Sequence, residues 1–154
     1  MEDITELFHR YRNSVYRLAV SYTRNPQEAE DVCQTVFLKL LEADVAPGRE
    51  KAWLMKVTAN ECRSLLRSHW WKRTAPLEEG LGIAAPEKDS PLDAVLRLKP
   101  NYRVVVYLHY YEGYSTVEIG KLLKISQSAV TTRLNRARTM LQDLLMEDLS
   151  WNTN

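Results

Sequence analysis

Several functional classes depend on residues that this sequence has only in small number. Its 154 residues include two cysteines and five glycines. Cys33 and Cys62 lie far apart without a C-x-x-C spacing, so neither a disulfide framework nor a cysteine-based zinc site is predicted. There is no H-E-x-x-H motif, no glycine-rich phosphate loop and no serine or cysteine nucleophile motif. We therefore expect a protein that is not an enzyme and that binds no cofactor and no metal.

Long apolar runs are absent as well. The longest uninterrupted apolar segment, Val104–Leu108, has five residues, whereas a membrane-spanning helix needs about 20. No charged-then-apolar leader opens the chain. Because 45% of the residues are hydrophobic, the chain can nevertheless build a packed core. These features predict a globular, cytoplasmic protein with reduced thiols and no membrane insertion of its own.

Charge is nearly balanced over the whole chain, with a formal net charge of +1, but it is unevenly distributed. Residues 74–93 hold one lysine against five acidic residues, together with three of the six prolines and two of the five glycines. Proline lacks the amide hydrogen that a continuous helix needs. The pattern therefore predicts an acidic, flexible linker between two domains, residues 1–73 and 94–154.

The first predicted domain has apolar residues at helical spacing. Asn25-Pro26-Gln27-Glu28 combines a helix N-cap, a proline at the first helical position and a glutamate at the third. One helix should therefore end near Thr23 and a second should follow it. After a break at residues 44–50, a third helix should run to about Trp71. The apolar positions expected to form the core are Val32, Val36, Phe37, Leu40 and Leu41 on the second helix and Trp53, Leu54, Val57, Leu65 and Leu66 on the third.

The second predicted domain contains four short helices. The first covers residues 92–98, and the next begins at Pro100 and ends near Glu112 despite the β-favouring residues within it. Ser115–Glu118 is a capping box that begins the third helix, and Ser126 can cap the fourth. The fourth helix should bury a stripe formed by Val130, Leu134, Ala137, Leu141 and Leu144. The predicted fold class is therefore all-α, with two small helical domains of three and four helices.

The last two helices, joined by the turn "KIS", form a predicted helix-turn-helix. Between Lys124 and Arg138 there are four positive residues and no negative one. A helix with such a face fits the major groove of DNA, which is about 12 Å wide. An ordinary helical hairpin with a solvated outer face is the alternative, although solvated faces usually carry both signs of charge. The residues expected on the outward face are Gln127, Ser128, Thr131, Thr132, Asn135 and Arg136.

Two parts of the sequence resemble one known family in the same order. "NPQEAEDVCQTVFLKLLE" and "KAWLMKVTANECRSLLR" resemble region 2 of the extracytoplasmic-function sigma factors, and "YEGYSTVEIGKLLKISQSAVTTRLNRARTML" resembles their region 4. The resemblance implies a sigma factor that binds core RNA polymerase, recognises the −10 and −35 promoter elements and promotes DNA melting. It also implies an anti-sigma protein as a partner, and a linker that enters the RNA path of the polymerase, with a simple flexible tether as the alternative.

The resemblance further implies roles for individual residues. Those that would contact core polymerase are Asp31, Gln34, Phe37 and Leu38. Those that would capture the −10 element, from the loop at residues 47–51 and the third helix, are Arg49, Lys51, Trp53, Lys56, Asn60, Arg63 and Arg67. Those that would lie in the groove of the −35 element are Thr131, Thr132, Asn135 and Arg136, with Ser126, Ser128, Arg133 and Arg138 nearer the backbone. Gln127 completes the −35 set.

Two residues depart from the family pattern. Lys124 stands where the family usually has glycine, and a left-handed residue there would cost lysine about 1 kcal/mol, so we expect the turn to differ slightly. Thr131 stands where a basic residue is common. This exchange removes one phosphate or guanine contact, and the promoter preference of relatives cannot be transferred.

Two other readings compete with a sigma factor. A helix-turn-helix regulator whose first half dimerises or senses a signal would form a stable dimer on a palindromic site. A metal or thiol sensor would use the two cysteines together with His9, His69 and His109, but only Cys62 and His69 have a plausible spacing, and a structural zinc needs four ligands. In "HWWKR" only one of Trp70 and Trp71 can face inward, and the role of Trp151 is not predicted.

Overall fold

The computed structural model describes the backbone of residues 3–72 and 91–152 and the side chains of residues 3–68 and 94–144. Residues 74–90 of the predicted linker and the side chains of His69, Trp70, Trp71 and Trp151 lie outside the described residues. The chain divides into two compact units, Met1–Gly82 and Ile83–Asn154. Every regular element in the described ranges is helical, which confirms the all-α prediction.

The first domain contains three helices: α1 (Ile4–Thr23), α2 (Pro26–Glu42) and α3 (Glu50–Lys72). The predicted boundary between α1 and α2 is confirmed, because Arg24 ends α1 in the left-handed conformation and the Asn25 side chain begins α2. Asn25 Oδ1 accepts hydrogen bonds from the amides of Gln27 and Glu28 at 3.0 and 3.2 Å, and thereby satisfies two donors that the first turn leaves unpaired.

The core of this domain differs from the predicted core in two places. Leu41 is 56% exposed, because it lies about 100° around the helix from Leu40, which is near the centre of the buried face of α2, and so falls outside that face. On α3, the predicted core residues Trp53, Val57, Leu65 and Leu66 are only half-buried. Leu54 is buried as predicted, and the other buried side chains among the described residues of α3 are those of Glu50, Met55, Thr58, Ala59 and Cys62.

The second domain contains α4 (Pro91–Arg97), α5 (Pro100–Val106), α6 (Thr116–Leu123) and α7 (Gln127–Asn152). The predicted helix from Pro100 is confirmed, and its last five residues, Tyr107–Tyr111, form a π-helical segment. Because a π-helical segment inserts an extra residue into a helix, it changes the direction of the side chains that follow. No helix among the described residues is both long and apolar enough to cross a membrane.

The helix-turn-helix consists of α6, a tight turn and α7. Ser115 and Glu118 form the predicted capping box, with two hydrogen bonds of 3.1 Å. Hydrogen bonding from Ser115, chiefly from its backbone amide, lowers the pKa of the Glu118 carboxyl. Lys124 ends α6 and adopts the left-handed conformation, with φ of 59°, although it is not glycine. Ser126 Oγ accepts the amide hydrogen of Ala129 at 3.1 Å, so Ser126 caps α7 as predicted.

Close backbone packing fixes the angle between α6 and α7. A Cβ atom on Gly120 would lie 2.8 Å from the carbonyl oxygen of Ile125, so only glycine lets the turn pass so near to α6. Val130, Leu134 and Ala137 of the predicted stripe on α7 are fully buried, whereas Leu141 and Leu144 are half-buried. The stripe therefore leaves the opposite face of α7 outward.

Candidate nucleic-acid interfaces and an apolar groove

The outward face of α7 holds the side chains predicted to meet DNA. Residues 126, 127, 128, 131, 132, 135 and 136 are exposed, and Arg133 is half-buried. Gln127 Nε2 donates to Thr116 Oγ1 at 3.0 Å, and the Thr131 hydroxyl donates to the backbone of Gln127 at 3.1 Å. These two side chains therefore brace the start of α7, whereas Thr132 and Arg136 extend outward.

Arg138 has a different arrangement from the other cations of α7. Its Nε donates to the hydroxyl of Tyr110 at 2.5 Å, and its Nη1 donates to Oδ1 of Asn135 at 3.0 Å. The guanidinium carbon also lies 5.7 Å from the centroid of the Tyr110 ring, a cation–π distance. Arg138 is therefore held against the domain by two neighbours. Tyr110 was not among the predicted site residues, because the contact joins residues 28 positions apart.

Six of the seven predicted −10 residues of the first domain lie along one face of α3. With Arg49 just before the helix, they follow one another at spacings of 4, 3, 4, 3 and 4 residues, which keeps them on one side of a helix. The core-facing residues of α3 lie on the opposite side. We name this set the basic stripe; its members are Arg49, Trp53, Lys56, Asn60, Arg63 and Arg67.

The basic stripe combines four cations with one amide and one indole. Arg49, Lys56, Asn60 and Arg67 are exposed, and Trp53 and Arg63 are half-buried. Arg63 Nη2 donates to Oδ1 of Asn60 at 2.6 Å. Such a surface can pair with phosphates and stack on a base, as proteins that bind single-stranded nucleic acid do.

The predicted loop at residues 47–51 is shorter in the structure, and Lys51 lies outside it. The helix α3 already begins at Glu50, so Lys51 is helical. Its position is about 160° around α3 from Trp53, on the side of the core, and its side chain is half-buried. Lys51 therefore does not belong to the basic stripe. The loop itself is ordered by Glu50, which is buried and accepts the amide hydrogen of Gly48 at 2.9 Å.

An open apolar groove lies between the start of α1 and the end of α2. Its volume is about 580 Å³. Of the four residues predicted to bind polymerase, Gln34, Phe37 and Leu38 line the groove, and Asp31 is exposed one turn before Gln34. Leu38 is 63% exposed, whereas Phe37 is buried. The complete lining is Ile4, Thr5, Phe8, Gln34, Phe37, Leu38 and Leu41.

Phe37 forms the floor of this groove. Its ring makes an edge contact with Phe8 at 5.0 Å between centroids, which ties α2 to α1. Ile4, Phe8 and Leu41 were not predicted as groove residues. A signal for Leu41 was present, because Leu38 and Leu41 are three residues apart and form a second apolar pair outside the core stripe of α2.

The two cysteines are buried in the core of the first domain, and both are free thiols. Burial raises the pKa of Cys33 to about 11 and the pKa of Cys62 to about 12. Both thiols therefore stay protonated at neutral pH, and a protonated thiol is a poor nucleophile and metal ligand. This argues against the thiol-sensor reading. Within the described residues, no group of three or more His, Cys, Asp or Glu side chains is placed to hold a metal ion.

The two domains match two family models in the expected order. Residues 7–72 match Sigma-70 region 2, and residues 92–141 match Sigma-70 region 4. Both regions belong to one class of protein, the sigma factors of the sigma-70 type, and each lies in one helical domain of this chain. More particularly, the chain belongs to the sigma-70 family, in its extracytoplasmic-function (ECF) group.

Curated relatives agree with this assignment. The RNA polymerase sigma factor CarQ of Myxococcus xanthus is 34% identical over 92% of this chain and 88% of its own length. The ECF sigma factor SigE of Mycolicibacterium smegmatis is 30% identical over 94% of this chain, which spans 62% of that relative. The sigma factor RpoE of Bartonella quintana, solved with the anti-sigma factor NepR, is similar in fold, with a TM-score of 0.77 at 21% identity over 95% of this chain and 98% of that one.

Proposed function

We propose that this chain binds core RNA polymerase in the cytoplasm, directs it to promoters with −35 and −10 elements and promotes DNA melting, without catalysis of its own. The observation that carries the proposal is the presence, in one chain, of both sigma regions in order, each with an outward helix face rich in cations and amides. A regulator with a single helix-turn-helix needs no second nucleic-acid surface on its first half.

The second domain would read the −35 element through α7. Thr132, Asn135 and Arg136 are exposed on the face opposite the buried stripe, and amide and guanidinium groups are the side chains that recognise base edges in the major groove. Ser126, Ser128 and Arg133 lie at the start or flank of this face, where phosphates pass. The capped N-terminus of α7 adds a favourable partial charge for a phosphate.

The first domain would capture the −10 element with the basic stripe on α3. Melting needs a site that compensates for the few kcal/mol lost when a base leaves the stack. Trp53 provides a partly exposed indole, and Asn60 an exposed amide, with cations on both sides of them along the helix. This combination supports binding of the single-stranded region rather than reading of a closed duplex.

The groove between α1 and α2 would bind core polymerase. Leu38 and Leu41 are large, exposed apolar side chains next to exposed Gln34 and Asp31. A small apolar patch rimmed by polar groups is typical of a protein–protein interface. The groove lies on α1 and α2, whereas the basic stripe lies on α3, so the two partners would use different helices of one domain.

We also propose that an anti-sigma protein is a partner of this chain. The support is indirect: the similar RpoE of Bartonella quintana was solved in complex with the anti-sigma factor NepR. Because the apolar groove is exposed, a protein that covered it would compete with core polymerase.

The linker at residues 74–93 would connect the two modules, so that two weak DNA contacts act together through a high effective concentration.

In vitro transcription over a random promoter library tests this function. Purified core polymerase is incubated with and without the full chain, and the transcripts are sequenced. The expected result is initiation that depends on the chain, at asymmetric sites with two conserved blocks. If initiation does not depend on the chain while the chain alone binds a palindrome tightly, the sigma-factor function is refuted and a conventional dimeric regulator replaces it.

A further inference from the structure

A row of contacts leads from the π-helical segment that follows α5 to the outward face of α7. His109 Nδ1 lies 2.9 Å from the carbonyl oxygen of Tyr114, and its ring meets the ring of Tyr110 edge-on at 4.9 Å between centroids. The Tyr110 hydroxyl accepts from Arg138 Nε at 2.5 Å, and Arg138 Nη1 donates to Asn135 Oδ1 at 3.0 Å. Only the last of these residues belongs to the set expected in the groove.

The π-helical segment Tyr107–Tyr111 presents Tyr110 to α7. Residues in such segments leave the regular helical phase, and π-helical turns are often found at functional positions. His109 supports Tyr110 through the edge-on contact of their rings. Because a carbonyl oxygen can only accept a hydrogen bond, the contact with Tyr114 requires a hydrogen on Nδ1 of His109, which fixes the orientation of that ring. Tyr110 is thus held in place although 54% of its surface is exposed.

The chemistry of arginine determines the orientation of the Asn135 amide. A guanidinium group has only donors, so the Asn135 atom that faces it must be the acceptor Oδ1. The donor Nδ2 is then the amide atom that points away from Arg138. An asparagine without this contact can rotate its amide by about 180° and present either atom.

An asparagine amide that presents its donor Nδ2 to the DNA prefers bases that offer an acceptor. In the major groove, guanine and thymine present acceptors, adenine presents one acceptor beside its amino donor, and cytosine presents a donor. We propose that Tyr110 is a positioning residue for promoter recognition: through Arg138 it fixes Asn135 with its donor outward, so that cytosine is disfavoured at the base read by Asn135. This inference rests on the −35 recognition proposed above and deepens it.

Arg138 thereby has a different role from that implied by the family resemblance. A phosphate contact would strengthen binding to all sequences by a similar factor. A positioning contact changes the preference at one base. Charge alone is sufficient for the first role, whereas the second needs the arginine geometry, which spans Tyr110 and Asn135 with two separate nitrogens.

The test measures base preference position by position. The full chain and core polymerase transcribe a library in which only the −35 block is random, and transcript counts give the preference at each position. The variant Asn135→Ala identifies the position that Asn135 reads. Tyr110→Phe, which keeps the ring but removes the hydroxyl, is expected to reduce the discrimination against cytosine there about three- to tenfold and to leave the other positions unchanged.

Two further variants separate positioning from charge and from folding. Arg138→Lys keeps the positive charge but cannot span both partners, so it should lose the same preference as Tyr110→Phe. Tyr111→Phe is the matched control, because Tyr111 is the neighbouring tyrosine, is 69% exposed and stacks on Tyr107 at 6.0 Å. It should behave like the unmodified chain, and circular dichroism should report the same helix content for all variants.

Three outcomes would overturn the proposal. The first is that Tyr110→Phe leaves the base preference unchanged. The second is that it weakens transcription from all −35 sequences alike. The third is that Arg138→Lys retains the full discrimination against cytosine. Failure of the proposed function is a separate result, because in that case the unmodified chain itself supports no initiation and the variants are not compared.

Discussion

The two domains present their partners with different kinds of surface. The first domain exposes an apolar groove on α1 and α2 and a basic stripe on α3, so one small helical bundle offers a protein surface and a nucleic-acid surface. The second domain offers the outward face of one helix, α7, whose position depends on a cap, a left-handed residue and a glycine. The apolar groove of the first domain therefore depends on the packing of two helices, whereas the placement of α7 in the second domain depends on the backbone geometry of one turn.

The largest effect is the loss of stability expected when the buried Phe37 is replaced. Comparing this residue with its exposed neighbour Leu38 separates packing from binding in the first domain. Phe37 and Leu38 are neighbours in sequence, but Phe37 is 7% exposed and Leu38 is 63% exposed. Phe37→Ala removes a buried ring that contacts Phe8, so it should destabilise the first domain by about 3–5 kcal/mol. Hydrogen exchange of the intact chain, read helix by helix, should show loss of protection in α1–α3.

Leu38→Ala should instead weaken the binding of core polymerase and leave the stability of the first domain nearly unchanged. Surface substitutions change stability by less than about 0.5 kcal/mol, whereas loss of an anchor in an interface typically weakens binding about tenfold or more. Affinity for core polymerase, measured by fluorescence anisotropy, should therefore fall while hydrogen exchange stays unchanged. Asn13→Ala, an exposed change on α1 outside the groove, is the control. Normal polymerase affinity in Leu38→Ala would exclude the groove as the polymerase site.

A smaller effect is expected from the turn of the second domain. Glycine to alanine within a helix usually stabilises a protein by about 1 kcal/mol. At Gly120 the sign should be reversed, because the new Cβ would lie 2.8 Å from the Ile125 carbonyl oxygen, a backbone atom that cannot move independently. Gly120→Ala should therefore cost the second domain about 1–3 kcal/mol.

Urea unfolding followed by helix-resolved hydrogen exchange measures this change. Protection of α6 and α7 should fall while protection of α1–α3 is kept. The neighbouring substitution Lys121→Ala, on the exposed side of α6, should have little effect. A stabilising Gly120→Ala would mean that the turn is free to move away from α6, and it would contradict the idea that local backbone geometry sets the recognition helix.

The same contrast explains how much could be predicted from the sequence. The capping residues Asn25, Ser115 and Ser126 were found correctly because a cap acts within three residues of itself. The buried stripe of α7 followed from helical periodicity in the same way. Leu41 was wrongly predicted as core, and on α3 only Leu54 of the buried face was predicted, because periodicity shows that a helix has an apolar side but not which of two apolar sides meets its neighbours.

The candidate sites follow the same rule. The outward face of α7 could be predicted from one helix alone, and its residues are exposed as expected. The groove residues Ile4 and Phe8 could not, because the groove exists only where α1 packs against α2. Tyr110 was missed for the same reason: its contact with Arg138 joins two helices that are distant in sequence.

The smallest expected effect is a gain in stability from replacing a left-handed residue by glycine, and each domain has one such residue. Within the described residues, Arg24 and Lys124 are the non-glycine residues with positive φ, at 53° and 59°, and each ends a helix. The left-handed conformation costs an L-residue about 1–2 kcal/mol. Glycine avoids this strain, but its larger backbone entropy in the unfolded chain cancels part of the gain. Arg24→Gly and Lys124→Gly should therefore each stabilise their own domain by about 0.5–1 kcal/mol.

Denaturant midpoints, assigned to each domain by hydrogen exchange, measure these two gains. Because the strain at each residue is local, the gain at one helix end should leave the other domain unchanged, and the double variant should show both gains. A gain at Arg24 without a gain at Lys124 would mean that Lys124 makes a compensating interaction in the turn of the helix-turn-helix. The lysine would then be part of the recognition geometry, and the turn would depend on more than backbone conformation.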